Sequence, residues 1–184
     1  FSSDQDVSDR VYITSPDIIR TLQTLVLHFL KSLEQKTGLK NFPLHLEVRI
    51  SAEGQLIPIE VNPLRFGGFC TTGDQSYYAY GFNAYLAYLR NQQPNWEQIF
   101  PARENHIYSL IVLDNNSGIP FAEIAAFDYA LLAESFEDPL VIREVDFQRH
   151  PLFGFVFTRT KKDNLAELER ILKSDLRSFI RLKS

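Results

Sequence analysis

The first strong pattern along the chain is helical. Between residues 18 and 33, apolar side chains recur at spacings of three and four with mainly polar residues between them, which is typical of a helix with one buried face. Ser15 can cap the start of this helix, Pro16 suits its first position, and Gly38 offers a left-handed stop. We expect residues 1–14 to form a loop that leads into a short strand or directly into the helix.

A pattern with a period of two follows over residues 44–62. Apolar and mostly polar residues alternate on both sides of residues 51–54, where turn-forming residues cluster. The alternation predicts a β-hairpin with one apolar face and one largely polar face. Its turn can consist of residues 53–54 or of residues 51–54. Both loops have an even number of residues, so both place the same side chains on each face of the hairpin.

The polar face of this hairpin carries the main candidate chemistry. In either register Glu47 and Glu60 point to the same side, directly opposite or diagonal, with Asn62 two residues further along. Carboxylate and amide oxygens suit Mg²⁺, and two close carboxylates repel each other unless a cation lies between them. A solvated polar strand face is the alternative, since antiparallel sheets often leave one side wet. His45 shares this face and can orient a carboxylate, contact substrate or make a structural hydrogen bond.

A glycine-containing loop and an aromatic segment follow the hairpin. Gly67 and Gly68 would allow the loop after Asn62 to approach a ligand closely. Residues 75–89 are rich in aromatic side chains whose spacing fits a helix, and an aromatic stripe of this kind is more often core than a stacking platform. Residues 91–105 read as a connection because they contain two prolines and mostly polar neighbours.

The remainder of the chain predicts a small α+β unit. We expect a strand at residues 107–113 and a helix at about residues 123–134. Two strands, at residues 140–145 and 153–158, and a final helix from residue 163 onwards should follow. This order suits a split-βαβ arrangement. A composition shift near Pro101 indicates a boundary between this unit and the preceding part.

Composition narrows the class of protein. With 184 residues, 45% of them hydrophobic, and a formal net charge of −4, the chain is expected to be a soluble, cytoplasmic globular protein with a real core. The acidic balance argues against nucleic acid as a partner, and no apolar run approaches the roughly 18 residues that cross a bilayer. The one cysteine, Cys70, cannot form an internal disulfide and is expected to be a packed side chain. The absence of Met and the start at Phe1 suggest a piece of a longer protein.

The run HLEVRISAEGQLIPIEVNPLRFGG, residues 45–68, resembles the C-terminal end of an ATP-grasp domain. In that family a Glu on one strand and a Glu-x-Asn on the next hold the magnesium ions of ATP. The resemblance implies that Glu47, Glu60 and Asn62 bind Mg²⁺ or Mn²⁺ and, through the metal, ATP. It also implies an α+β fold in which an antiparallel sheet with flanking helices forms the C-terminal lobe of the ATP-grasp fold.

The same resemblance suggests roles for the residues that follow. Arg65 resembles the family's arginine beyond the Asn, which stabilises charge on the transferred phosphoryl group, although here Leu64 separates it from Pro63. Gly67 and Gly68 fall where related enzymes use a loop to contact the acceptor substrate, and His45 is a further candidate for substrate contact.

The resemblance covers about residues 1–90, including DVSDRVYITS and YAYGFNAYLAYL, and favours a carboxylase-like branch. It implies an ATP-grasp part at residues 1–100 and a small α+β subdomain at residues 101–184. Intact relatives transfer the γ-phosphoryl group of ATP to a carboxylate, and an amine, thiol or similar nucleophile attacks the acyl phosphate. The expected partners are ATP, a small carboxylate substrate, a possible second copy, and the missing N-terminal half of the fold, whose glycine-rich loop and nucleotide-binding lysines we do not find here.

Two other functions remain open from the sequence. One is a noncatalytic binding or oligomerisation module that retains an ATP-grasp-like scaffold, and the aromatic middle segment could then face a partner. The other is a small hydrolase that uses the paired carboxylates without ATP. If the ligase reading holds, the fragment alone is expected to be inactive, because it lacks most of the nucleotide site.

Overall fold

The computed structural model describes residues 10–68 and 71–183. They form two compact units, which we name by their main feature. The sheet unit comprises residues 10–14 and 105–183, and the hairpin unit comprises residues 15–104. Cys70 and the first nine residues of the segment 1–14, which was expected to begin as a loop, lie outside the described residues. The predicted domain division between residues 100 and 101 stays a prediction.

The hairpin unit begins with the predicted long helix. Its elements are α1 (Pro16–Thr37), β2 (Leu44–Ile50), β3 (Leu56–Pro63), α2 (Thr71–Tyr80), α3 (Ala84–Leu89) and α4 (Trp96–Ile99). Ser15 caps α1, because its hydroxyl accepts a hydrogen bond from the amide of Ile18 at 3.2 Å. Gly38 ends the helix in the left-handed conformation, with a φ of 70°, and donates its N–H to the carbonyl of Glu34. Both ends of α1 are therefore where the sequence predicted them.

The aromatic segment forms two helices rather than the single helix that its spacing predicted. Helix α2 ends at Tyr80, and Gly81 follows with a φ of 71°. Asn83 then starts α3, since its side chain accepts a hydrogen bond from the amide of Leu86 at 3.0 Å. A left-handed glycine followed by a capping residue breaks the helix here. The aromatic periodicity alone did not reveal this break.

The hairpin unit buries few apolar side chains completely. Those among its described residues are Ala79, Tyr80, Ala87 and Phe100. In α1 only Pro16 is buried, and the apolar stripe of that helix is mostly half-buried. In β3, Ile59 is 54% exposed. The sequence correctly predicted the amphipathic pattern of α1, but the apolar side chains of this helix are only partly buried within the unit.

The sheet unit has the split-βαβ arrangement that the order of its elements predicted. Its elements are β1 (Arg10–Thr14), β4 (His106–Asp114), β5 (Ile124–Phe127), α5 (Tyr129–Ala133), β6 (Pro139–Glu144), β7 (Leu152–Lys161), α6 (Ala166–Leu172) and β8 (Ile180–Leu182). A four-stranded antiparallel sheet has the order β1-β4-β7-β6. Strands β4 and β6 both pair antiparallel with β7, so they run parallel to each other with β7 between them. The connection from β4 to β6 contains α5.

Strand β1 extends this sheet at the outer side of β4. Thr14 pairs with Tyr108 and Val11 with Ile111. The expected short strand before α1 therefore exists, and its partner lies more than ninety residues along the chain. No local pattern in the sequence indicates that pairing.

The C-terminal elements differ from the prediction in two places. The helix expected at about residues 123–134 is split, because residues 124–127 form β5 and only residues 129–133 form α5. Strand β5 pairs with β8, which follows the last helical turn. The final helix starts at Ala166 rather than near residue 163, and it ends at Leu172. Pairing between segments far apart in the chain overrides the local helical pattern at β5.

The main hydrophobic cluster of the sheet unit lies on one side of β4 and β7. Its fully buried members include Ile111, Leu113, Phe153 and Val156 from the sheet and Leu132 from α5. Phe153 stands at the centre of an aromatic group and stacks on Phe127 at a ring distance of 4.2 Å. This fold class, α+β with antiparallel sheets, confirms the prediction.

No helix of the described residues combines the length and apolar character that crossing a bilayer requires.

Tyr129 provides a pH-dependent test of this packing. Its hydroxyl donates a hydrogen bond to the carbonyl of Phe153 at 2.6 Å. Burial, together with the negative charge of Glu144, raises the pKa of Tyr129 to about 12. Between pH 10 and 12 the unfolded chain would lose this phenolic proton while the native state keeps it. The contribution of Tyr129 to stability is therefore complete below pH 10 and is lost as the pH rises towards 12.

We expect the free energy of unfolding to fall less steeply with pH in Tyr129→Phe than in the unaltered chain. Denaturant unfolding at a series of values between about pH 9 and pH 12 would measure the two slopes. Tyr77→Phe, at an exposed position of α2, controls for the loss of one phenol. Equal slopes in Tyr129→Phe and the unaltered chain would contradict the prediction.

Candidate functional site

The polar face of the hairpin, formed by His45, Glu47, Glu60 and Asn62, is the candidate site. The antiparallel pairing of β2 with β3 sets Glu47 directly opposite Glu60 and His45 directly opposite Asn62. Side chains that are directly opposite share one side of the sheet. The four side chains therefore form two adjacent pairs on one surface, and of the two registers predicted for the carboxylates, the direct one is present.

Two irregularities combine to produce this register. The turn is neither of the predicted even loops, because Ser51 pairs with Gln55 through a 2.9 Å hydrogen bond and three residues lie between them. Gly54 closes the turn with a φ of 78°. A loop with an odd number of residues would by itself shift the pairing of the strands by one residue. A bulge in β3 compensates for this shift, because Glu47 pairs with Glu60 and Val48 with Pro58, which leaves Ile59 as an extra residue without a partner. The two offsets restore the direct pairing of the carboxylates.

The bulge also changes which side chains lie on each face near the turn. Leu56 pairs with Ile50 and Pro58 with Val48, so these side chains share the apolar face. Ile57 pairs with Arg49 and joins the polar side instead. The predicted alternation of residues 56–62 is therefore wrong between the turn and the bulge. Pro58 was an available signal, since proline within a strand often marks a bulge or an edge.

The electrostatics of the two carboxylates favour a cation between them. Glu47 and Glu60 are both exposed, and no hydrogen bond or ion pair joins either side chain to another described residue. Like charges directly opposite on a sheet destabilise the pair. Two oxygen donors of this kind fit a hard cation, and a bound Mg²⁺ or Mn²⁺ would remove the repulsion.

The donor set is too small to be a complete protein metal site. In the part of the chain that the structure describes, no group of three or more His, Cys, Asp or Glu side chains is arranged to hold a metal ion. Mg²⁺ is nevertheless commonly held by one or two carboxylates together with substrate phosphates and waters. With the amide of Asn62 beside them, Glu47 and Glu60 match that pattern of shared coordination.

His45 and Asn62 are more deeply placed than the carboxylates. Both residues are half-buried, whereas Glu47 and Glu60 are exposed. The Nδ1 atom of His45 and the Nδ2 atom of Asn62 are buried and have no hydrogen-bond partner among the described residues. Buried polar atoms are nearly always paired in native proteins. This end of the polar face therefore has unused hydrogen-bonding capacity.

Arg65 follows a strained turn. The amide of Leu64 donates to the carbonyl of Pro43 at 2.7 Å, and Leu64 has a φ of 66°. A left-handed conformation costs a residue with a Cβ about 1–2 kcal/mol, and the Leu64 side chain is 77% exposed. Arg65 is itself exposed. The sequence did not predict this conformation.

Aromatic contacts and one glycine fix the loop after Arg65. The ring of Phe66 meets the edge of Tyr85 at a centroid distance of 5.0 Å. Gly67 has a φ of 92°, and a Cβ there would clash with Oγ1 of Thr72. Gly68 has no described atom near the position of a Cβ. Gly67 is therefore required by the backbone and by close packing, and any ligand contact of the two glycines stays a prediction.

A cavity of about 440 Å³ lies elsewhere in the hairpin unit, between α1 and the turn end of the hairpin. It is lined by Thr24, Leu25, His28, Phe29, Ser32, Gln55 and Leu56. Because Leu56 lies on the apolar face, this cavity does not belong to the polar face. The sequence patterns did not predict this cavity.

Comparisons with known proteins bear on this site. Residues 1–73 match a family model described as an ATP-grasp domain, and this range includes the whole hairpin and Arg65. The structure is similar to the crystal structure of an L-amino acid ligase from Bacillus licheniformis, with a TM-score of 0.62 and 17% sequence identity. The similarity covers 95% of this chain and 46% of the ligase, so the chain spans about half the length of that enzyme. A comparison with curated proteins finds no match.

The two glycines allow a matched stability test. We expect Gly67→Ala to lower the free energy of unfolding by about 2 kcal/mol or more, since it combines left-handed strain with overpacking against Thr72. Gly68→Ala is the control and should change it by less than about 0.5 kcal/mol, because the site is open. Denaturant unfolding of both variants would measure the difference. Equal effects at the two positions would contradict the packing described above.

Proposed function

We propose that the chain belongs to the ATP-grasp superfamily and is the C-terminal portion of a ligase of this type. In the intact protein it binds Mg-ATP and activates a carboxylate as an acyl phosphate, which an amine or similar nucleophile then attacks. The observation that carries the proposal is the direct pairing of two exposed carboxylates, Glu47 and Glu60, with Asn62 beside them. These residues lie within the matched part of the chain.

Each residue of the polar face has a distinct task in this proposal. Glu47, Glu60 and Asn62 would hold Mg²⁺ or Mn²⁺ through their side-chain oxygens. The cation would neutralise negative charge on the ATP phosphates, which is a main requirement of phosphoryl transfer. Arg65 would add a positive charge beside the transferred group. Phosphoryl transfer to a carboxylate substrate needs no nucleophile from the protein, and this agrees with a site of carboxylates, an amide and a guanidinium.

The loop after the hairpin would bind the acceptor substrate. No described atom lies within 4 Å of the place that a Cβ of Gly68 would occupy, so a substrate could approach the backbone from that side. Gly67 would shape the loop through its contact with Thr72. His45 lies on the polar face and is a further candidate for substrate contact. A small carboxylate is the expected substrate class.

The hairpin unit further supports the view that another part of the protein completes the nucleotide site. Apolar side chains such as Ile59 and Val61 are exposed on β3, and α1 buries only Pro16 completely. Exposed apolar surface of this kind favours contact with further protein. We propose that the N-terminal half of the ATP-grasp fold supplies that contact together with the adenine site. Cytoplasmic location and homo-oligomerisation stay predictions.

A noncatalytic module is the second candidate function. Helix α3 leaves Leu86, Tyr88 and Leu89 largely exposed, and these side chains could face a binding partner or a second copy. In that case the polar face would be solvated and would bind neither metal nor nucleotide.

Isothermal titration of the intact protein that contains this sequence would separate the two candidates. We expect binding of Mg-ATP, and we expect Glu47→Gln or Glu60→Gln to weaken it at least about tenfold, because each removes a charged ligand. Either substitution also removes one of two like charges, so the variants should fold as well as the parent. Glu53→Gln, at the turn of the same hairpin, is the matched control and should bind normally.

Absence of Mg-ATP binding by the unaltered intact protein would contradict the ligase proposal. Equal affinities in Glu60→Gln and Glu53→Gln would also contradict the assignment of the polar face as the metal site.

The chain alone should behave differently from the intact protein. We expect the 184-residue chain to bind Mg-ATP weakly or not at all, because two carboxylates and an amide supply no adenine contacts. The same titration with the isolated chain would measure this. Tight binding by the chain alone would show that the nucleotide contacts are present within it.

A further inference from the structure

The unpaired atoms of His45 and Asn62 point to an interaction between these two residues. The register places them directly opposite each other, as the next pair on the same face, two residues further from the turn than Glu47 and Glu60. Directly opposite residues have Cβ atoms about 4.5–5.5 Å apart. That separation is within the combined reach of an imidazole and an amide side chain.

The two atoms are chemically complementary. The Nδ2 atom of an Asn amide can only donate hydrogen bonds, and the Nδ1 atom of a neutral imidazole can accept one when the proton is on Nε2. Both atoms are buried without a partner among the described residues. Leaving a buried donor or acceptor unpaired costs about 1–3 kcal/mol. A hydrogen bond between them would satisfy both atoms at once.

Such a bond would decide which end of the Asn62 amide faces outward. Only the oxygen of an amide binds a hard cation, and the nitrogen cannot replace it. Of the two polar atoms of this amide, only Nδ2 is buried without a partner in the described structure. Holding Nδ2 against His45 would therefore leave Oδ1 available as a ligand. Residues that orient metal ligands through a hydrogen bond commonly matter for affinity.

We propose that His45 is a positioning residue, whose Nδ1 accepts a hydrogen bond from Nδ2–H of Asn62 and thereby presents the amide oxygen for metal binding. The hydrogen bond itself stands on the register and the two unpaired atoms. Its consequence for metal binding rests on the proposed function.

The hydrogen bond is tested on the chain itself, without metal or nucleotide. NMR of the ¹⁵N-labelled chain can detect a scalar coupling between the two nitrogens of an N–H···N bond. We expect a cross peak between Nδ2 of Asn62 and Nδ1 of His45, with the imidazole proton on Nε2. His28→Phe, on exposed α1 surface, is the control and should keep the cross peak. A proton on Nδ1 of His45, or a missing cross peak, would overturn the hydrogen bond.

The positioning role is tested by metal-dependent binding of Mg-ATP to the intact protein. His45→Leu removes the acceptor and should weaken binding about 10–100-fold. His45→Gln keeps an oxygen that can accept the hydrogen bond, so its affinity for Mg-ATP should be close to that of the unaltered protein. A purely structural role of the imidazole would not predict this difference between His45→Gln and His45→Leu. Equal affinities of His45→Leu and the unaltered protein would overturn the positioning role.

The two tests fail separately. If the unaltered intact protein bound no Mg-ATP, the proposed function and the positioning role would both be wrong, while the NMR cross peak would still decide whether the hydrogen bond exists. If Mg-ATP bound and the cross peak were absent, the proposed function would stand and the inference about His45 would fall.

Discussion

The candidate site depends on one constraint, which is the compensation of an odd turn by a one-residue bulge. Strand side chains alternate between faces, so a register shift of one residue would move Glu60 away from its place opposite Glu47. The three-residue turn introduces such a shift, and the bulge at Ile59 removes it. Both carboxylates and the pair formed by His45 and Asn62 therefore share one surface only because β3 carries an extra residue.

The two units of the chain differ in how they bury apolar surface. In the sheet unit, β4 and β7 are buried almost along their whole length, with Phe153 and Leu113 inaccessible to solvent. In the hairpin unit, the apolar residues of α1 are mostly half-buried and those of β3 are largely exposed. Burial of apolar area is the main source of folding stability. The sheet unit thus carries most of the core, whereas the hairpin unit carries the chemistry of the candidate site.

Local signals in the sequence predicted the elements of the site better than their arrangement. The cap at Ser15 and the stop at Gly38 define α1 because capping depends on a few neighbouring residues. The period of two predicted the hairpin and the shared side of Glu47 and Glu60 for the same reason. The turn length, the bulge and the left-handed Leu64 were not predicted, since each depends on backbone geometry that many sequences could adopt.

Sequence alone determined the class of residues on the polar face, the amphipathic character of α1 and, apart from β5 and β8, the order of strands and helices after residue 105. Only the tertiary structure decided that β1 pairs with β4, that β5 is a strand paired with β8, and that one side-chain nitrogen each of His45 and Asn62 is buried. The physical reason is the range of the interactions involved. Periodicity and capping act within a few residues, whereas strand pairing and burial depend on segments that meet only after the chain has folded.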